Sequence, residues 1–269
     1  MVLSSLIRTF APMIFVFSCT GNTRWAAETL ADALGERLVD MADQTSSDTT
    51  FSLEENERIG FCFPVHGWRP PKLVRAFIRG LKLQPAAGSH YCWALCTAGD
   101  DIGLTMEYLN RDLSAFGLQA TSQFSLIMPE SYVGLPFMDV DPPEKEKAKC
   151  EMARQLLAEF IADIRERRTG IIRTVRGKWP RINSNLLGGA FVRWIVSDKP
   201  FHATNDCIEC GKCAQVCPVG NILGGKGQRP QWKHNGQCLS CFACYHHCPT
   251  RAIRYGNRTE KKGQYYYRK

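Results

Sequence analysis

Short apolar runs alternate with amphipathic segments through the first 168 residues. Ile14-Phe15-Val16-Phe17, directly after Met13, is an unbroken apolar run of strand length, which predicts a first strand buried on both faces. Trp25 to Leu34 has apolar residues at 25, 26, 27, 30, 31, 33 and 34 and stops at Gly35, the spacing and the stop signal of a helix. Glu36 to Met41 predicts a short second strand and Asp43 to Thr50, all polar or small, a loop. Arg58 to Val65 predicts a third strand, His66 to Pro71 a loop at its end, and Lys72 to Leu81 a helix. His90 to Thr97 predicts a fourth strand with the loop Ala98 to Gly103 behind it, then a helix over Leu104 to Phe116 closed by Gly117. Thr121 to Met128 predicts a fifth strand and Glu144 to Arg167 a long last helix. This order predicts an α/β fold, a doubly wound parallel sheet of five strands covered on both faces. Residues 1–12 show no periodicity and read as an extension, so the first domain is expected to span 13–168.

Beyond residue 168 the pattern breaks down. Residues 169–202 form a connector in which Arg173, Arg176, Lys178, Arg181, Arg193 and Lys199 are mixed with Trp179, Leu186, Leu187, Phe191, Trp194 and Ile195. Such a stretch packs against its neighbours or lies on a membrane or nucleic acid. Residues 203–255 form a small cysteine-rich unit, and 256–269 a basic tail carrying Tyr265-Tyr266-Tyr267. The charge changes at the same boundary. Residues 1–164 carry 14 Lys/Arg against 21 Asp/Glu, a balance of −7, whereas 165–269 carry 20 against 5, a balance of +15. A basic half suits an anionic partner or the acidic half of its own chain. No apolar run reaches the roughly 18 residues of a membrane span, since Arg8 and Pro12 interrupt the amino-terminal stretch. No small-residue cleavage site follows that stretch, so a cytoplasmic protein without a transmembrane segment is expected.

The loops at the carboxyl ends of the strands carry the first candidate chemistry. Ser18-Cys19-Thr20-Gly21-Asn22-Thr23 joins the first strand to the first helix. Backbone N–H groups at the helix start, with the hydroxyls of Ser18, Thr20 and Thr23, make a phosphate site. The loop lacks the lysine and second glycine of a triphosphate-binding loop, so it suits one phosphate monoester, as in FMN; an ordinary capped βα turn is the other reading. No G-x-G-x-x-G fingerprint stands between a strand and a helix, which gives no support to direct NAD(P)H oxidation. Ser-x-Thr-Gly-x-Thr resembles the phosphate loop of flavodoxins. That resemblance implies strand order 2-1-3-4-5, with FMN at the switch point. Thr20, Gly21, Asn22 and Thr23 would lie on the phosphate. Two loops would flank the isoalloxazine: Pro64, Val65, His66, Gly67 and Trp68 after the third strand, and Thr97, Ala98, Gly99 and Asp100 after the fourth. Trp68 is the aromatic candidate to stack on the ring.

The second chemistry lies in the cysteines. Cys207-Ile-Glu-Cys210-Gly-Lys-Cys213-Ala-Gln-Val-Cys217-Pro and Cys238-Leu-Ser-Cys241-Phe-Ala-Cys244-Tyr-His-His-Cys248-Pro repeat C-x2-C-x2-C-x3-C-P, the ligand run of bacterial ferredoxins. Zinc prefers separated pairs of ligands, and a disulfide framework needs an oxidising compartment, so both fit this spacing poorly. The first three cysteines of a run wrap one cluster and the fourth reaches the other. Cys207, Cys210, Cys213 and Cys248 are thus expected to hold one 4Fe-4S cluster, and Cys217, Cys238, Cys241 and Cys244 a second. Residues 200–255 resemble the two-cluster bacterial ferredoxins. Cys19, Cys62, Cys92, Cys96 and Cys150 remain as scattered thiols.

The whole chain resembles the bacterial proteins that fuse a flavodoxin-like domain to a two-cluster ferredoxin. The resemblance implies FMN, two 4Fe-4S clusters and electron transfer in anaerobic metabolism. Three readings follow. The first is an electron carrier without a substrate of its own, serving redox proteins with acidic docking surfaces. The second is a flavoenzyme reducing a small organic molecule with His66, Tyr132 or Asp100 as proton donor. The third is a sensor or assembly factor that binds nucleic acid or membrane through its basic half. The first is expected, with no nucleic acid bound.

Overall fold

The structure is a computed structural model that describes residues 13–44, 50–54, 57–84 and 90–268. The predicted extension 1–12 and residues 45–49 of the predicted Asp43 to Thr50 loop lie outside the described residues. The sheet is built from β1 (Met13–Val16), β2 (Arg37–Asp40), β4 (Arg58–Pro64), β6 (Tyr91–Ala98), β7 (Ser122–Ile127) and β8 (Ile172–Arg173). These run in the order β2-β1-β4-β6-β7-β8, and every pairing is parallel. The first five strands keep the flavodoxin-like order 2-1-3-4-5. The expectation of five strands is corrected to six: β8 comes from the connector and pairs with β7, Gln123 opposite Ile172. Only two residues pair there, too few for a hydrophobic period to mark them as a strand.

Alternation along the strands sorts the core into two layers. Phe15, Phe61 and Ala94 face one layer with Leu73, Val74, Phe77 and Ile78 of α3 (Lys72–Arg79) and Met106, Leu109 and Leu113 of α4 (Thr105–Leu113). Ile14, Val16, Cys62, Trp93 and Leu95 face the other, with Ala26, Ala27 and Leu30 of α1 (Asn22–Leu34) and Leu157, Phe160 and Ile164 of α5 (Pro143–Arg165). Burial of both faces explains why the strands read as continuous apolar runs. Gly60 leaves room for Trp93, whose ring would lie 2.3 Å from an added Cβ. A four-residue helix α2 (Met41–Gln44) and a two-stranded parallel ladder, β3 (Thr50–Ser52) with β5 (Lys82–Gln84), complete this half.

The connector is part of the fold rather than a tether. After β8 it turns through two wide π-helical stretches, Ile182–Leu187 and Phe191–Ile195, on either side of α6 (Gly188–Ala190). The carboxyl-terminal unit follows. It starts at β9 (Phe201–Ala203), slightly before the expected boundary, because β9 pairs antiparallel with β12 (Ile253–Tyr255). Between them lie α7 (Lys212–Gln215), the hairpin of β10 (Ile222–Leu223) and β11 (Gln231–Trp232), and α8 (Ala243–His246). Its core of Phe201, Trp232, Phe242, Tyr245 and Tyr255 also takes in Val133 from the first half.

The tail returns to the beginning of the chain. Tyr265 Oη donates to Asn22 Oδ1 at 2.6 Å, the Tyr267 amide donates to the Thr20 carbonyl at 2.7 Å, and the Tyr267 ring stacks on Trp25 with centroids 5.2 Å apart.

Candidate functional site

The expected phosphate loop forms because β1 ends at Val16 and α1 starts at Asn22, with Gly21 in the left-handed region at φ 94° between them. A Cβ at Gly21 would meet Tyr267 at 3.0 Å, so both the turn and the tail require glycine there. Ser18 Oγ accepts from the Arg24 amide at 3.2 Å, and the Thr23 and Thr97 hydroxyls share a bond of 2.7 Å. Asn22 Nδ2 donates to the Pro129 carbonyl at 3.2 Å, and Thr20 Oγ1 donates to Ser131 Oγ at 3.4 Å. Side chains therefore fix the loop, whereas the amides of Thr20, Gly21, Asn22 and Thr23 have no acceptor among the described residues. A row of unpaired N–H groups at a helix start fits a phosphate monoester.

The two expected ring-flanking loops lie side by side, since the Val65 amide donates to the Thr97 carbonyl at 2.8 Å. Trp68 takes a left-handed backbone at φ 57°, and its side chain lies against Gly103. His66 is half-buried at a cleft wall, and desolvation lowers its pKa to about 4, so its ring is neutral near pH 7. Gly99 lies against the Glu130 carboxylate, and Asp100 is exposed. Burial raises the pKa of Glu130, whose Oε1 accepts from the Ser131 and Tyr132 amides at 2.8 and 2.7 Å. The connector roofs both loops. Ser184 Oγ donates to the Trp68 carbonyl at 3.1 Å and accepts from the Leu104 amide at 2.7 Å, while Arg69 Nε donates to the Ser184 carbonyl at 2.7 Å. Phe191 fills the space beside Gly67 and meets Tyr132 edge-on at 5.2 Å.

The eight cysteines converge on two cavities. Cys207, Cys210, Cys213 and Cys248 line one of about 310 Å³, and Cys217, Cys238, Cys241 and Cys244 line one of about 320 Å³. Among the described residues no group of three His, Cys, Asp or Glu is drawn together around a single ion. Four thiols spread around a chamber suit a cluster better than one ion. Amides point at the sulfurs: Asn221 N lies 3.2 Å from Cys217 Sγ, Ala252 N 3.2 Å from Cys248 Sγ, and Ser240 N 3.4 Å from Cys238 Sγ. Such bonds favour thiolate. Burial opposes it, raising the pKa of Cys217 and Cys213, taking Cys238 up to about 12 and Cys244 well above its ordinary value. A bound metal charge reverses that cost.

Several residues that join the two halves of the molecule carry no local sequence signal. Cys19, in the loop between β1 and α1, packs with Cys241 on the core layer under α3 and α4, and its interaction with Cys241 first and burial second hold the Cys19 thiol well above its ordinary pKa. Leu239, between Cys238 and Cys241, belongs to the core layer under α3 and α4, and Cys241 and Val219 pack on that layer. His246 joins three parts of the molecule. Its Nε2 donates to the Ser131 carbonyl at 2.6 Å, and its Nδ1 accepts from the Tyr265 amide at 3.1 Å, which fixes the neutral tautomer. The Tyr265-Tyr266-Tyr267 cluster was the one sequence hint of this docking.

Comparison with known proteins agrees with the carboxyl-terminal geometry. Residues 199–249 match the family described as 4Fe-4S dicluster domain. A ferredoxin of Streptomyces griseus is 38% identical over 56 residues, 21% of this chain and 51% of that protein. A ferredoxin of Methanocaldococcus jannaschii is 37% identical over 49 residues, 18% of this chain and 64% of that protein. The chain thus spans about half to two thirds of the length of these relatives. Among solved structures, a flavoprotein of Bacteroides eggerthii covers 54% of this chain and 98% of its own at 17% identity and a TM-score of 0.33. An azoreductase of Bacillus anthracis covers 56% and 99% at 11% identity and a TM-score of 0.37. At those scores the strand order itself carries the fold assignment. The chain joins an α/β domain of flavodoxin-like strand order to a carboxyl-terminal segment that matches the 4Fe-4S dicluster family.

Proposed function

We propose that the protein is an electron carrier that binds FMN in residues 13–168 and two 4Fe-4S clusters in residues 203–255. The observation that carries this reading is the junction of the two sites: Cys19 of the phosphate loop and Cys241 pack on the same core layer of the flavodoxin-like domain, and Leu239 of the same cysteine run is built into that layer. FMN exchanges electrons in pairs or singly and a 4Fe-4S cluster one at a time, so the combination links two-electron to one-electron steps.

The chain's own residues do the rest. The amides of Thr20, Gly21, Asn22 and Thr23, with Ser18, hold the phosphate. Pro64 to Trp68 and Thr97 to Asp100 flank the ring, and Ser184 and Phe191 close the roof and exclude water. Cys217, Cys238, Cys241 and Cys244 hold the cluster on the flavin side; Cys207, Cys210, Cys213 and Cys248 hold the one on the far side. There Cys210 and Lys212 are exposed, which suits a redox partner with an acidic surface in the cytoplasm of an anaerobe.

One observation favours a second reading, that of a flavoenzyme reducing a small organic molecule. A cleft of about 430 Å³ opens beside the ring-flanking loop, lined by His66, Arg69, Lys72, Arg75, Val192 and Leu239. His66, neutral near pH 7, would serve there as a hydrogen-bond donor rather than as an imidazolium acid.

Anaerobic reconstitution with iron, sulfide and flavin tests the assignment. About eight iron and one FMN per chain are expected; four iron, or no flavin, overturns it. Turnover of a defined organic substrate with a reduced donor would replace the carrier reading with the second one.

A further inference from the structure

The connector has two sides of opposite character. Its inner side is committed: Ser184 is fully buried, Gly188 lies against the Gly67 carbonyl, and Phe191 fills the space beside Gly67. Those contacts fix which side chains face outward. The outward ones are large and apolar. Trp179 is 65% exposed, Leu186 67% and Trp194 74%, with Ile182 and Leu187 nearly half exposed between them. Isolated exposed apolar residues are ordinary, but five large ones within 16 positions of one connector are a concentration that calls for a covering surface.

Charge narrows the occupant. Arg173 pairs with Glu159 and Asp163, and Arg176 pairs with Glu107, so these two cations are answered within the chain. Lys178, Arg181 and Arg193 are exposed and have no acidic partner among the described residues. The acidic half of the chain therefore does not neutralise the part of the connector that carries these apolar residues. An acidic protein would answer the cations but gives no reason for two indoles at the ends of an aliphatic stretch. The bilayer interface answers both, because tryptophan settles at the headgroup level, aliphatic side chains enter the acyl boundary, and Lys and Arg meet anionic headgroups.

We propose that this outer side of the connector, Trp179, Ile182, Leu186, Leu187 and Trp194 with Lys178, Arg181 and Arg193, docks the protein on an anionic lipid surface. Docking is peripheral, since among the described residues no helix is long and apolar enough to cross a membrane. It would set the ring-flanking loops, roofed by the same connector, close to the bilayer.

The test is co-sedimentation of the intact, cofactor-loaded protein with two kinds of vesicle, phosphatidylcholine alone and phosphatidylcholine mixed with phosphatidylglycerol. Retention on the anionic vesicles at least about tenfold above the neutral ones is expected, weakening with salt. Leu186→Ser with Trp194→Ser should remove most of it, and Lys178→Glu, Arg181→Glu and Arg193→Glu together should abolish it. All five positions are exposed, so iron content and thermal melting should stay at wild-type values. No retention on either vesicle overturns the proposal, as does equal retention on both. Retention that survives the Leu186 and Trp194 changes also overturns it, leaving a purely electrostatic contact of the kind an acidic protein would make.

Discussion

The two cysteine runs share one spacing and one backbone but have opposite surroundings. Glu209 and Ser240 both sit at positive φ, 53° and 47°, and so do Gly211 and Phe242, at 74° and 58°. The chain makes the same turns around both cavities. What differs is the matching side chains. After the first cysteine, Ile208 is 62% exposed, whereas Leu239 is 6% exposed and belongs to the flavodoxin-like core. Between the second and third cysteines, Gly211 takes the left-handed turn without strain, but Phe242 takes it as a buried aromatic, with Tyr132, Tyr245 and Tyr255 against its ring. Between the third and fourth, Gln215 stands where the other run has the anchored His246. A cysteine spacing specifies ligands; the residues between the cysteines decide whether the site faces a partner or the rest of the same chain.

The sharpest way to break this comparison is to remove one ligand from each run. Cys241→Ser and Cys210→Ser should each lose about half the bound iron. Cys241→Ser should also lower unfolding free energy by on the order of 4 kcal/mol and release flavin, because its surroundings are shared with the phosphate loop. Cys210→Ser should leave flavin in place. Iron analysis, flavin absorbance and denaturant unfolding on the two variants read all three effects, and matching profiles would erase the distinction between an inner and an outer site.

The next comparison uses the paired apolar positions. Leu239→Ala should cost about 3 kcal/mol as a buried truncation, and Ile208→Ala less than about 0.5 kcal/mol. Urea midpoints measure both; a large loss at Ile208 would mean that a partner or second surface buries it.

Acid sharpens the contrast from another side, because His66 shares a cleft wall with Leu239, whereas among the described residues no histidine lines the outer cavity. Its pKa falls from an ordinary 6.5 to about 4 on folding. Between those values the unfolded chain holds the extra proton, so stability is intact above pH 6.5 and declines as pH drops towards 4. The slope from this group is at most about 1.4 kcal/mol per pH unit. His66→Gln should flatten that stretch of the stability curve; an unchanged slope would assign it to other groups.

The smallest effect concerns the tail. Tyr265→Phe removes the donor to Asn22 beside the phosphate loop and should weaken FMN binding by about 1 kcal/mol, near fivefold, in a fluorescence titration. The iron content of the same variant should not change.

Local pattern made much of this legible and distance hid the rest. The strands announced themselves because both faces are buried, and the cysteines because one cluster takes three ligands from adjacent turns. Gly21 and Gly117 marked real turns, both at positive φ. The sixth strand did not show, since two residues carry no period. Trp68 is expected as a ring-stacking aromatic from its place in the loop; its backbone twist and its packing against Gly103 depend on residues that no local pattern relates to it. The connector was read as a joining piece because alternating cations and indoles have no helical or strand period. Cys19, Leu239 and His246 each act through a contact with another part of the chain, and a linear pattern does not encode that.

The bond from Tyr265 to Asn22 spans 243 positions. A chain emerging from the ribosome can lay down the sheet strand by strand, but this wall of the phosphate loop must wait for residues 265–267. Those residues in turn are held by His246, which lies between a ligand of each cysteine quartet. Maturation therefore has an order built into it: the carboxyl-terminal unit takes shape, the tail is seated, and only then is the loop between β1 and α1 walled in. Damage to the last-made part of the protein would be felt at its first-made loop.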